Sequence, residues 1–197
     1  MKTVFVDVDT QIDFVYPAGA LYAPGAETIV PALVRLNRHA AASGIPVIST
    51  MDAHAENDPE FRNWPAHCVA GTIGQQKVPG TMLENFIIIP TADTAERIDT
   101  VQQIILEKVH TDVFRTPNLP WVLEALNADR YIVYGLVTEV CVAMAAFGLL
   151  KTGKRVEVIL DAVRSFSADA GREMLDRFQR EGGALTTTEA ALSGWVC

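Results

Sequence analysis

Short apolar runs rich in Val and Ile alternate along the chain with longer stretches whose apolar residues recur at helical spacing. This alternation restricts the fold more than any other feature. Residues 4–8, 45–50, 103–107, 131–135 and 155–160 read as strands, with a last short strand near residues 184–187. Between the first two, residues 26–42 put Ile29, Leu33 and Leu36 on one helical face, and Gly44 ends that helix. Further helices are predicted over residues 118–127, 139–152 and 168–181. The strands are apolar at nearly every position, so both faces of the sheet must be covered, which implies parallel strands joined by helices. Residues 52–99 are less regular and far longer than an ordinary connection, as functional loops tend to be.

The 197 residues suit one domain, 1–197, with no internal repeat. A net charge of −8 disfavours nucleic acid or an anionic membrane as partner. No apolar stretch is long enough to span a bilayer, and the first residues form a strand-like run without the features of a signal peptide. The three cysteines suggest no disulfide framework, so a reducing, cytoplasmic setting is expected.

In parallel α/β sheets ligands bind beyond the carboxyl ends of the strands. Strand ends here supply Asp7, Asp9, Gln11, Asp13 and Phe14, then Asp52 and His54, then Lys108, then residues 135–141 ending at Cys141. An acid, a lysine and a cysteine thus reach one edge of the sheet from three strands, as a nucleophilic site requires. A helix N-terminus and a nearby lysine both favour thiolate, and a carboxylate can carry the thiol proton to a leaving amine. Taken singly, Cys141 reads first as a small buried residue, Lys108 as a solvated strand end and Asp9 as a turn former; their joint placement favours the site.

Asp52, His54, Glu60 and His67 form a second cluster within 16 residues. These donor types suit a first-row divalent ion, zinc foremost, with iron or manganese as alternatives. The spacing is equally compatible with loop residues that hydrogen-bond one another, His67 being packed on Trp64. Asp7-Val8-Asp9-Thr10 resembles the nucleophile motif of haloacid dehalogenase-type phosphatases, but Gln11 stands where that motif needs Thr or Val. No glycine-rich phosphate loop is present.

Five segments resemble the isochorismatase-like cysteine hydrolases and, within them, the nicotinamidases. These are Asp9-Thr10-Gln11-Ile12-Asp13-Phe14, Asp52-Ala53-His54, residues 64–72 from Trp64 through His67 and Cys68 to Thr72, Lys108, and Gly135 through Cys141. The resemblance spans essentially the whole chain. It implies a three-layer sandwich around a six-stranded parallel sheet. It also implies a catalytic triad of Asp9, Lys108 and Cys141, and an oxyanion hole from the amides of Val137 and Cys141. A cis peptide is implied at Leu136–Val137, a metal on Asp52, His54, Glu60 and His67, and Phe14 and Trp64 flanking a substrate ring. Cys68 is expected to be structural, and Cys197 to take no part. After Lys108 the chain departs from the family: Val109-His110-Thr111-Asp112 stands where many nicotinamidases carry a Gly-rich, Tyr-Ser-containing loop. His110 reads as a surface residue.

The expected activity is hydrolysis of nicotinamide to nicotinate and ammonia through a cysteine thioester. A related amidase or ureidase acting on a carbamoyl or small aliphatic amide is the alternative within the fold. A non-catalytic metal-containing binding protein is the alternative of another class. The expected partners are a small amide and other copies of the chain in a homo-oligomer.

Overall fold

The computed structural model describes residues 1–92, 98 and 100–193. Its seven strands are β1 (Thr3–Val8), β2 (Val47–Asp52), β3 (Phe86–Ile89), β4 (Gln103–Lys108), β5 (Arg130–Leu136), β6 (Arg155–Arg164) and β7 (Ala184–Thr186). They form one sheet in the order β3-β4-β2-β1-β5-β6-β7, parallel throughout. The strand beyond the expected six is β3, a run of Phe and three Ile at the sheet edge, half-exposed at Phe86 and Ile88. Four residues are too few to show a period, and this run sits inside the stretch read as irregular.

The helices are α1 (Ile12–Val15), α2 (Val30–Ala42), α3 (Leu119–Leu126), α4 (Ala143–Leu150), α5 (Ala168–Arg180) and α6 (Thr188–Ser193). Strand alternation sorts the core into two layers. Val4, Val6 and Val8 face α3, α4 and α5, where Val122, Leu149 and Phe178 are buried. Phe5 faces the opposite side with Leu33 and Leu36 of α2 and Ala191 of α6. This is the expected three-layer sandwich. Among the described residues no helix is long and apolar enough to cross a membrane.

The chain leaves β1 towards β2 on one side and leaves β5 towards β6 on the other, so the strand order reverses between β1 and β5. A crevice opens at such a point beyond the strand ends. Gly135 lets the two strands meet there: its φ is +115°, and a Cβ would lie 2.1 Å from the carbonyl oxygen of Val8. Gly135→Ala is expected to cost about 2–4 kcal/mol, from left-handed strain plus a backbone clash. A thermal melt checks this, and an unchanged Tm would show that the strands need no such approach.

Two elements differ from the sequence-based expectation. The helix expected from residue 139 begins as a π-helical turn, Thr138–Val142, before α4, so Cys141 lies in the irregular turn. β6 continues to Arg164, beyond residue 160, because its register against β5 shifts between Val133 and Gly135. Such a bulge redirects a strand end, and β6 delivers Phe166 to the crevice.

Candidate active site

Asp9, Lys108 and Cys141 converge at this crevice, each all but excluded from solvent. The Lys108 ammonium has three acceptors around it, matching its three hydrogens. Asp9 Oδ2 lies at 2.9 Å, Asp52 Oδ1 at 2.5 Å and Cys141 Sγ at 3.7 Å. The register of β2 and β4 pairs Asp52 directly with Lys108, which explains how two distant segments set this contact. Asp9 has φ +45°, so its side chain leaves the alternation of β1. The Thr50 hydroxyl donates to Asp9 Oδ1 at 2.5 Å, and the Asp9 amide donates to Thr50 Oγ1 at 3.2 Å.

Burial pushes the Cys141 thiol well above its ordinary value; Lys108 opposes this, while Asp9 and Asp52 add to it. Desolvation and two carboxylates thus outweigh one cation there and oppose the thiolate that a helix terminus and a lysine favour. Burial alone would lower Lys108, but Asp52 and Asp9 reverse that and hold the amine charged. Burial likewise pushes the Asp52 carboxyl up to about 7, against the pull of Lys108.

Asp52 links this cluster to a second one. Its other oxygen, Oδ2, lies 4.0 Å from His54 Nε2 and 3.9 Å from His67 Nε2. One ligand atom from each of these three residues lies within 4.8 Å of the others. Both rings are oriented through Nδ1: that of His67 donates to Pro65 O at 2.7 Å, and that of His54 lies 3.1 Å from Asp58 Oδ2. His54 Nε2 is buried with no hydrogen-bond partner among the described residues. Burial, helped by His54 and Lys108, lowers His67 and keeps it neutral. A metal-binding histidine holds one ring nitrogen on a carbonyl or carboxylate and leaves the other for the ion. His67 does this through Pro65 O, and His54 keeps Nε2 beside Asp52, so these residues fit a divalent ion. Glu60 lies outside that three-residue group and lines the cleft near His67. His67 contacts Phe14 and Phe61, with ring centroids at 5.3 and 5.7 Å; Trp64, on which the alternative reading of the cluster packs it, lies against Phe166.

Asp9, Asp52, Glu60, His67, Val137 and Cys141 all border one narrow cleft. Phe14, Trp64, Leu21, Val140 and Phe166 form its apolar walls. A wider groove between α4 and α5 holds none of the thiol, Asp9 or Lys108. The Leu136–Val137 peptide is cis, as expected from the resemblance, and the amides of Val140 and Val142 both turn back to Val137 O. Thr111, not His110, borders the cleft from the loop after Lys108. Cys68 is buried, and burial drives its thiol far above its ordinary range, in keeping with a structural role. Cys197 lies outside the described residues.

Several supporting side chains had no assigned role in the sequence. Gln11 donates to Asp52 O at 2.8 Å and accepts from the Asp52 amide at 2.8 Å, fixing the residue shared by both clusters. Asp13 accepts from the Cys68 amide at 2.7 Å and so holds the segment carrying His67. Gln11 and Asp13 stand in the strand-end motif, so their position was a signal. Thr50 and Asp58 carried none, because their importance comes only from what they touch.

A parallel α/β sheet with a buried thiol, lysine and carboxylate at its switch point has the makings of a small-molecule hydrolase. The isochorismatase domain pattern matches residues 3–89 and 90–190, and the chain belongs to that family. It is 29% identical over 189 residues to an uncharacterized isochorismatase family protein, PncA, of Bacillus subtilis, covering 93% of this chain and 98% of that one. It is 26% identical over 193 residues to the nicotinamidase of Acinetobacter baylyi, covering 85% and 86%. Among solved structures, the zinc complex of Pyrococcus horikoshii pyrazinamidase superposes with a TM-score of 0.79 at 25% identity, covering 95% and 99%. The N-carbamoylsarcosine amidase of Thermoplasma acidophilum gives 0.77 at 27% identity, covering 96% and 98%.

Proposed function

We propose that this hydrolase is a metal-containing cysteine amidase whose substrate is nicotinamide. The observation that carries this reading is the Asp52–His54–His67 donor group, two of whose members border, with the Cys141 thiol, one cleft with aromatic walls. Phe14, Trp64 and Phe166 would flank a flat ring whose amide points towards the sulfur. A divalent ion held by Asp52, His54 and His67, with Glu60 as fourth ligand, would supply a Lewis acid for the pyridine nitrogen. Nicotinamidases and a zinc-bound pyrazinamidase among its relatives support the reading.

The chain's own residues then divide the work. Asp9 takes the Cys141 proton as the sulfur attacks the carbonyl carbon, and Lys108 stays charged beside both. The amides of Val137 and Cys141 face the developing oxyanion, each donor worth about 3–4 kcal/mol. Asp9 returns the proton to the departing nitrogen, and ammonia leaves. Water, deprotonated by the same carboxylate, then attacks the thioester; the C–S bond breaks, and Asp9 returns that proton to the Cys141 sulfur as the acid leaves. Ammonia release from nicotinamide by the purified protein, with and without added zinc, tests the assignment. No release from nicotinamide, with turnover of a carbamoyl substrate, would favour the second reading. That reading rests on the loop after Lys108 and on the N-carbamoylsarcosine amidase relatives.

Asp58 supports the metal wall through His54. Asp58→Ala is expected to weaken zinc binding about 10–100-fold, as loss of such a partner does elsewhere. Competition with a chromophoric chelator measures this, and an unchanged Kd would remove Asp58 from the role.

A further inference from the structure

A second buried ion pair lies on β1, and the chemistry above does not use it. The Asp7 and Lys77 side chains are both fully buried, with Lys77 Nζ 3.1 Å from Asp7 Oδ2. That oxygen also accepts from Asn37 Nδ2 at 3.0 Å and Ser49 Oγ at 3.2 Å. Replacing a buried pair by apolar residues is often neutral or stabilising, so stability alone is a poor reason for its presence.

Its surroundings supply another reason. Lys77 Nζ also donates to Thr10 Oγ1 at 2.7 Å, and Thr10 follows Asp9, whose φ is +45°. The segment around Lys77 is stitched to the same turn by three backbone bonds. The amides of Ile12, Asp13 and Val78 donate to Gln76 O at 2.9 Å, Gly74 O at 3.0 Å and Thr10 O at 2.9 Å. Gln11, which holds Asp52, donates to Gln75 O at 2.7 Å. The Lys77 ammonium is therefore the one side-chain charge of this segment fixed on both β1 and the Asp9 turn.

We propose that Lys77 is a positioning residue: anchored by Asp7, it holds Thr10 and thereby sets the Asp9 carboxylate against the Cys141 thiol. This rests on the assignment of Asp9 as the base. Misplacing a catalytic group by about 1 Å can cost on the order of 100-fold in rate. Lys77→Met is expected to lower kcat at least about tenfold with KM changed less than about twofold. Since Lys77→Met strands Asp7, two further variants separate position from stability. Asp7→Val/Lys77→Met removes both charges and is expected to regain Tm but not kcat. Thr10→Val leaves the ion pair in place and is expected to lose kcat to a similar degree.

The second readout is the rate of Cys141 alkylation by iodoacetamide, followed on the Cys141 peptide. It needs no substrate, so it stands even if the wild-type protein does not hydrolyse nicotinamide. It is expected to fall in step with kcat in Lys77→Met and in Thr10→Val. Wild-type alkylation and kcat in folded Thr10→Val, or in the double variant, would overturn the proposal. Silence of wild-type protein towards nicotinamide, with alkylation still dependent on Lys77, would overturn the substrate assignment alone.

Discussion

Cys141→Ala is expected to lower ammonia release by about four to six orders of magnitude, the range seen when a covalent nucleophile is removed. The reason is specific to this cleft. Among the described residues the sulfur is the thiol that Asp9 and Lys108 both approach, with Lys108 Nζ 3.7 Å away. The π-helical turn that presents it leaves the residue only 7% exposed, so no bulk water takes its place readily. Losing one sulfur atom from a well-packed site should move the Tm little, and zinc binding should persist. Steady-state kinetics beside a zinc titration therefore isolate the chemistry. A variant that keeps more than about one per cent of turnover with its fold intact would sink the thioester mechanism.

Lys108→Met is expected to cost both activity and stability. It leaves Asp9 and Asp52, now 2.9 and 2.5 Å from a shared cation, buried without one. Breaking a buried ion pair from one side typically costs about 3–5 kcal/mol, and turnover should fall at least about 100-fold. The pH dependence follows from the carboxyls. Asp52 is already pushed up to about 7, by burial first and by Asp9. A carboxyl raised by folding penalises the folded state increasingly as pH climbs from its unfolded value, about 4, through its folded one. Removing Lys108 raises it further, so this part of the deficit relative to wild type should be absent near pH 5 and open above about pH 7, where the wild-type carboxyl ionises. Urea unfolding of the chelated proteins near pH 5 and pH 8 checks the sign. An equal deficit at both would show that carboxylate repulsion is not its cause.

The convergence of acid, lysine and cysteine was legible because each ends a strand, and strand ends of a parallel sheet share one edge. Asp52 and His54 were legible for the same reason, lying two apart in extended chain. Other features were not. β3 is too short to show a period. Alternation along β1 would place Asp9 on the face of Asp7, and only the left-handed turn at Asp9 separates them.

By itself the sequence determined the parallel sheet, its two-sided cover and the residue types gathered at the ends of β1, β2, β4 and β5. Those depend on local periodicity, which a single chain displays. The tertiary structure decided that burial raises the Cys141 thiol, that Lys108 is shared between two carboxylates, and which partners Thr50, Asp58 and Lys77 touch. Charge states and orientations are set by desolvation and by partners tens of residues away in sequence, and neither exists until the chain has folded.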